Sequence, residues 1–593
     1  MKKILAFILS ILMISTCFIS CDMDDDDDKS SNWIDSLLKA GTESESVAST
    51  ENNFGGNNYG GNNYGGNNYG GNNYGGNNYG NNNYWNGSEY SSGTNKTTIK
   101  STNEYGEEKF ESVVPDSSDF DGDTLYILCR NSRNATKEWY SEMTEDEVDE
   151  VVAMRNEHVA DALNVNVSYV PIASSNYDDC LDKFTKAIAD DMNKGTHNYD
   201  IVANYAYAGA NASVRDYIAN MNDKNIFPYF DFSLPCWNQS MVHSTKINNK
   251  IYYITGDINL STFNSTMVVY LNKDVYNRKK SSYDPADLQD LAIEGDGKEG
   301  GFTFDELYSW ASRANSVQEL NGEDGYQHDD FHAISAGFNS IPLDALPYAW
   351  DLQYVTTNAD SSHKYNIIGN NKIERAIEKA RMLFDGSISQ GVCNDDNTGW
   401  CYLGGYSEPI THFARDRSIF TLHLLYSSED DNTMLRTMNS EYGLLPIPKY
   451  DEDQIDYGTT AHQSYTLITV IDHSRSDVPT KGELVSAYLQ YSTEESYTNV
   501  RGYYINRIVK PKYFGTDDTN GSVTKSIKIF NIISSNIEFD FLSVYAPQLN
   551  GVLNTCWRNA VIEGMTAKDA YEADQATFDY CIENLDSWLD IKK

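Results

Sequence analysis

A chain of 593 residues has room for a large buried core and for one to three domains. Its 45 Lys and Arg stand against 87 Asp and Glu, a formal charge of −42, which excludes a role built on neutralising nucleic-acid phosphates. Its nine Cys are scattered, with no C-x-x-C pair and no Cys/His spacing suited to a metal, which excludes a small disulfide scaffold and a zinc module.

Lys2 and Lys3 give the chain a basic start, and Ile4 to Ile19 is an apolar run. That run has signal-peptide length and is too short, and too abruptly followed by charge, to span a bilayer. Positions 18–21 read FISC, a small residue ahead of a cysteine, which resembles the bacterial lipoprotein processing box with Phe18 in place of the usual Leu. The resemblance implies that Cys21 is acylated and becomes the new N-terminus, holding the chain at the extracellular face of a bacterial cell membrane. Two or three acyl chains anchor stably where one does not. The alternative is an ordinary secreted protein cut elsewhere, with Cys21 incidental. With Cys17 removed and Cys21 modified, the other Cys are odd in number; Cys393 and Cys401 bracket one loop and are candidates to pair.

From Asp22 the chain is acidic, and from Asn52 it repeats Gly-Gly-Asn-Asn-Tyr with a period of five up to Tyr79. That period fits neither a helix nor a solenoid, and without aliphatic residues the segment has no core to offset its ordering entropy. Residues 21–120 are therefore expected to be a disordered low-complexity tether, with a root-mean-square span of roughly 50–60 Å. The sharper alternative is a tether that also adheres, because Tyr/Asn/Gly tracts associate.

Globular sequence is expected from Asp121. Thr124 to Arg130 reads as a buried strand, and Thr144 with Glu147 has capping-box spacing ahead of Val148, Val152, Val159 and Leu163 at helical intervals. Val165 to Ile172 alternates like a strand, Leu181 to Met192 has a helical period, and Tyr199 to Asn204 reads as another buried strand. Strand and helix in alternation predict an α/β fold with a parallel sheet. In such sheets ligands lie beyond the carboxyl ends of the strands, which points to residues 130–134 and 205–211. A second capping box, Thr303 with Glu306, precedes Leu307, Trp310 and Ala311, while Pro446 and Pro448 stop a strand. Trp310, Trp557 and Trp588 sit at helical spacing and read as core.

Several segments in this order resemble the extracellular solute-binding proteins of ABC importers, in particular the carbohydrate-type, family 1-like lipoproteins. They are residues 227–239 (FPYFDFSLPCWNQ), 250–257 (KIYYITGD), 268–273 (VVYLNK), 302–307 (FTFDEL, with Phe302 where Trp is usual), 442–451 (YGLLPIPKYD) and 503–513 (YYINRIVKPKY). The resemblance spans residues 121–593. It implies a two-lobed periplasmic-binding-protein-like α/β fold with a hinge. One lobe would hold about 121–270 and 455–500, the other about 275–450 and 500–593.

No phosphate loop, Gly-x-Ser-x-Gly elbow, His-Glu-x-x-His or dinucleotide fingerprint occurs, so a binding protein is expected rather than an enzyme, with no cofactor and no metal. Tyr is abundant at 43 copies, with 22 Phe and 9 Trp. Aromatic faces stack on the C–H faces of sugars, whose hydroxyls need fixed polar partners. The candidate contacts carry their alternatives. Trp237 stacks on ligand or packs on its own lobe; Trp350 faces the cleft or fills the core. Asp257 accepts from hydroxyls or is a turn residue, with the turn favoured. Arg415 bridges hydroxyls or serves a surface ion pair, with the latter favoured. Trp400 has polar neighbours and is expected to be exposed, and Tyr205 and Tyr504 are expected to enter the cleft from opposite sides. The expected function is a lipid-anchored, monomeric receptor that passes a sugar, an oligosaccharide, to ABC permease subunits. The alternatives are an adhesive surface lipoprotein that binds carbohydrate without a transporter, and an exported glycan-active enzyme.

Overall fold

The computed structural model describes residues 99–102 and 108–591, apart from 132–137, 142–146, 175–176, 210–211, 281–286, 315–330, 338–341, 358–362, 384–400, 405–406, 429–434, 474–479 and 514–520. Cys21, the Gly/Asn/Tyr repeat, Trp400 and Cys393 lie outside the described residues, and with them the anchor, most of the tether and the expected cysteine pairing. In chain order the strands are β1 (Ile99–Thr102), β2 (Glu108–Phe110), β3 (Thr124–Asn131), β4 (Asn166–Ala173), β5 (Ile201–Tyr205), β6 (Met267–Asn272), β7 (Ile334–Gly337), β8 (Val355–Thr357), β9 (His363–Tyr365), β10 (Cys401–Gly404), β11 (Phe420–Leu424), β12 (Tyr442–Leu445) and β13 (Thr466–Val470).

β1 and β2 pair antiparallel, with Ile99 opposite Phe110, and Val114 is a buried member of the core. Pairing thus begins ahead of Asp121, the expected start of the globular chain. Val114 brings to this stretch a buried aliphatic side chain, a kind of residue the repeat lacks.

The first sheet has the order β13-β5-β3-β4. β3 is parallel to β4 and to β5, whereas β13 is antiparallel to β5. Leu125, Ile127, Leu128 and Cys129 of β3 are all fully enclosed, as expected of a strand covered on both faces. On one face the helix Glu147–Leu163 buries Val148, Val152, Val159 and Leu163, the positions its spacing marked. On the other, the helix Tyr177–Lys194 packs Cys180, Phe184 and Ile188 against Leu128 and Val202.

The second sheet has the order β10-β7-β11-β6-β12. β7 is parallel to both β10 and β11; β6 runs antiparallel to β11 and β12. The helix Phe304–Ala314 opens as its capping box predicts, with Glu306 N donating to Thr303 Oγ1 at 3.3 Å. Trp310, Trp557 and Trp588 are buried.

Two chain passes connect the sheets, one leading into β6 and one leaving β12 past Pro446 and Pro448. They pair where they meet: Thr266 bridges Ala461, Met267 N donates to Thr460 O at 3.0 Å, and His462 N donates to Ser265 O at 2.7 Å. A third pass joins them, with Thr459 N donating to Asn536 O at 3.1 Å and Glu538 N to Thr459 O at 2.7 Å. The architecture is thus α/β, two sheets joined by short backbone-paired crossings, the arrangement a hinge requires. Among the described residues no helix is long and apolar enough to cross a membrane.

Candidate functional site

The parallel strands β3 and β5 end at Asn131 and Tyr205, and antiparallel β13 starts beside them, with Thr466 opposite Tyr205. In the second sheet β11 ends at Leu424 opposite Met267, the start of β6. The hinge passes lie between these ends: Leu425 N donates to Thr266 O at 2.9 Å and Ala206 N to Tyr465 O at 3.0 Å. The carboxyl ends of both sheets therefore converge on residues 265–266 and 460–465, the place where α/β sheets take ligands.

Polar side chains gather there. Arg130, at the end of β3, donates from Nη1 to Ser464 O at 2.6 Å, and its guanidinium lies 4.0 Å from the centre of the Tyr205 ring. Glu138 accepts hydrogen bonds from Ser261 N and Thr466 Oγ1. Ser265 Oγ is 2.8 Å from Ser464 Oγ, which lies 3.2 Å from His462 Nδ1. Burial first, and the charge of His423 second, push His462 down to about 4. His462 is thus neutral at neutral pH and exchanges donor and acceptor roles by tautomer. From the second sheet, Tyr426 follows β11 and is half-buried, and His423 bonds to Ser427. Fixed donors and acceptors beside partly exposed tyrosine rings suit a ligand with several hydroxyls and an apolar face.

Of the residues singled out in the sequence, Tyr205 is in this cluster, half-buried under Arg130. Trp237 is 1% exposed; its indole N–H donates to Gln490 Oε1 at 3.0 Å and its ring packs edge-on against Phe230 and Phe232. Trp350 is likewise 1% exposed, donates to Pro448 O at 3.0 Å and packs against Phe304, Tyr450 and Trp557. Both indoles occupy the core, the second of the two placements the sequence left open. Asp257 is buried in a turn after Gly256, the turn placement the sequence reading favoured, and lies 3.4 Å from Arg501. Burial raises its carboxyl to about 6 against the opposing pull of Arg501. Tyr504 is fully enclosed and donates its hydroxyl to Asn264 Oδ1, so it enters no open cleft. Arg415 is exposed at the end of the helix Glu408–Ala414. Among the described residues no cluster of three or more His, Cys, Asp or Glu is set to hold a metal ion. Glu138, Ser265, His462 and Ser464 carried no sequence motif; their only signal was a place at or near strand ends and crossings.

No family model and no curated protein matches the chain. Solved structures do show similarity. The sugar-binding protein MalE of Xanthomonas citri is 12% identical, with a TM-score of 0.48, over 79% of this chain and 100% of its own. The galacto-N-biose-/lacto-N-biose I-binding protein of the ABC transporter of Bifidobacterium longum, in complex with lacto-N-biose, is 12% identical over 79% of this chain and 99% of its own, with a TM-score of 0.46. Maltose-bound MalE3 of T. maritima is 12% identical over 80% of this chain and 100% of its own, with a TM-score of 0.42.

Proposed function

We propose that the chain is a receptor for an extracellular solute. It is held at the outer face of a bacterial membrane through Cys21, captures a sugar between its two α/β lobes and hands it to an ABC importer. The observation that carries the reading is the convergence of the carboxyl ends of two sheets on backbone-paired crossings, lined by Arg130, Glu138, Tyr205, Ser265, His462 and Ser464. An oligosaccharide is the favoured cargo, since polar side chains lie at strand ends of both sheets, Arg130 and Ser464 at the first and Tyr426 after β11 at the second. Affinity comes from stacking and fixed hydrogen bonds; closure about the crossings is what a permease senses.

The test is a thermal-shift screen of the full chain against mono- and oligosaccharides, with peptides and other small solutes as controls. A ligand of the folded state raises Tm by mass action, by an amount that grows with its concentration over Kd. Silence across a broad glycan panel together with hits among peptides would overturn the sugar assignment. Release of reducing ends from a polysaccharide would instead favour an exported glycan-active enzyme. Labelling by a lipid precursor that disappears with Cys21→Ser tests the anchor.

A further inference from the structure

At the carboxyl end of the first sheet, three buried side-chain N–H donor atoms lack a hydrogen-bond partner among the described residues. The Arg130 side chain is 3% exposed. Nη1 is tied to Ser464 O and the plane is stacked on Tyr205, yet Nε and Nη2 are buried without a hydrogen-bond partner among the described residues. Those two atoms share one edge of the guanidinium. Their N–H bonds run parallel, at the spacing of the two oxygens of a carboxylate.

Glu138 does not fill that edge. Its Oε2 is 3.9 Å from Nη2, beyond hydrogen-bond reach, and both its oxygens accept from Ser261 N and Thr466 Oγ1. A second cation lies near Glu138: Arg155 donates to its backbone carbonyl, and the two charges attract.

Asn204 supplies a third donor. Cys129 pairs with Ala203 in register, so the next positions, Arg130 and Asn204, lie side by side on one sheet face. The Asn204 oxygen is occupied, by Cys180 Sγ at 3.0 Å and Tyr205 N at 2.7 Å, while its Nδ2 is buried without a partner among the described residues. The helix Tyr177–Lys194 begins at this end and brings Cys180 onto Asn204, so its positive terminus faces the same corner. Asp179 in its first turn is bonded to Lys183 at 2.7 Å.

A sugar hydroxyl satisfies one N–H. Two parallel, desolvated N–H bonds of a permanent cation are matched best by a two-oxygen anion, and Glu138, at 3.9 Å, offsets the charge without filling that edge. We propose that this corner receives a carboxylate carried by the sugar: the ligand contains a uronic acid residue, gripped by Arg130 through Nε and Nη2, with Asn204 Nδ2 donating a third hydrogen bond. The proposal rests on the sugar-receptor reading above and narrows it from neutral sugars to acidic ones. Arg130 is a ligand-positioning and specificity residue whose geometry is set before the ligand arrives.

The experiment is calorimetric titration of the full chain with short oligosaccharides of galacturonate, glucuronate and mannuronate, each compared with its methyl ester and its neutral counterpart. The expected result is that one acid series binds and that its ester binds roughly 10- to 100-fold more weakly, the loss of charge-assisted bonds. Arg130→Lys keeps the charge and removes the fork, so it weakens the acid by roughly tenfold or more and the ester by less, narrowing the gap between the two. Because the acid and ester are compared on the unaltered chain, the test stands even where a variant folds poorly. Neutral sugars or esters binding as tightly as acids would overturn the carboxylate subsite and leave the sugar receptor standing. Arg130-dependent binding of citrate or peptides with no uronate binding would overturn the uronic acid and the sugar reading together.

Discussion

Lys449 follows Pro448 in the crossing that leaves β12, and it is fully buried. Its ammonium donates to the backbone carbonyls of Gly295 at 2.6 Å, Lys298 at 2.8 Å, Gly300 at 3.1 Å and Ile455 at 2.6 Å, 4.6 Å from the centre of the Tyr457 ring. The loop from 295 to 301 curls round it, with Gly297, Gly300 and Gly301 at positive φ of 69°, 76° and 98°, where a side chain is strained. The lysine thus fills the place of a bound cation and fixes a turn that has no core of its own. Lys449→Met keeps length and bulk but donates nothing. The Gly295 carbonyl then keeps only the Lys298 N–H, at 3.4 Å, and the other three, partly within reach of water, are rehydrated at best. Hydrogen bonds from a charged donor are worth about 1.5–3 kcal/mol each, and rehydration and the Lys298 N–H recover part of that, so the loss should be roughly 3–5 kcal/mol. Denaturant unfolding measures it, and amide exchange should quicken across 295–301 ahead of the rest of the chain. A variant within about 1 kcal/mol of the parent, with unchanged exchange in that loop, would refute the account, since four hydrogen bonds from a charged donor would then have been lost at almost no cost.

Asp257 gives a pH test. Its folded value of about 6 stands above the ordinary 3.8 because burial outweighs Arg501. Between those values the folded state holds a proton that the unfolded state has released, so stability falls as pH rises through the window and is flat above it, by about 2–3 kcal/mol at most. Asp257→Asn should remove that slope, read as the difference between parent and variant in denaturation midpoints near pH 4.5 and pH 7; parallel curves would count against the assignment. His363 links the β8–β9 hairpin to the C-terminal helix: its N–H donates to Asp586 at 3.0 Å, its Nδ1 is 2.6 Å from the same carboxylate, and its ring stacks on Phe541 at 4.3 Å. His363→Ala should cost about 1–3 kcal/mol and speed exchange in residues 363–365; protection unchanged there would mean that other contacts hold the hairpin.

Three strands of the first sheet, β3, β4 and β5, were legible in the sequence because their signals are local; β13, which returns antiparallel from far along the chain, was not. β3 and β5 are continuous apolar runs, and Val148, Val152 and Val159 mark a helix face without reference to distant residues. The second sheet was less so: β7 reads ISAG and β10 reads CYLG, too short and too rich in small residues to show a period. The site was hardest, because its parts are distant in sequence. Arg130 meets Ser464 across 334 positions and Ser265 meets it across 199, and no spacing rule reaches that far. Aromatic identity left Trp237 open between ligand and core, because the Gln490 oxygen that meets its indole N–H lies 253 positions away. A tryptophan's side chain says how much area it can cover, not whether that area faces ligand or core.

The same geometry constrains how a receptor of this kind would work. A ligand drives closure only to the extent that it binds the closed form more tightly than the open one. Arg130 is anchored to Ser464 and Tyr205 within its own sheet and crossing, so its grip on a ligand is available before the lobes approach and discriminates little between the two forms. In such a receptor the discriminating contacts would come from the opposite side, where β11 ends and the half-buried Tyr426 follows. Arg130 would then set which ligand enters and the β11 end would set whether the lobes close on it. Substitutions at the two ends should accordingly separate affinity in the open form from the change of shape that follows.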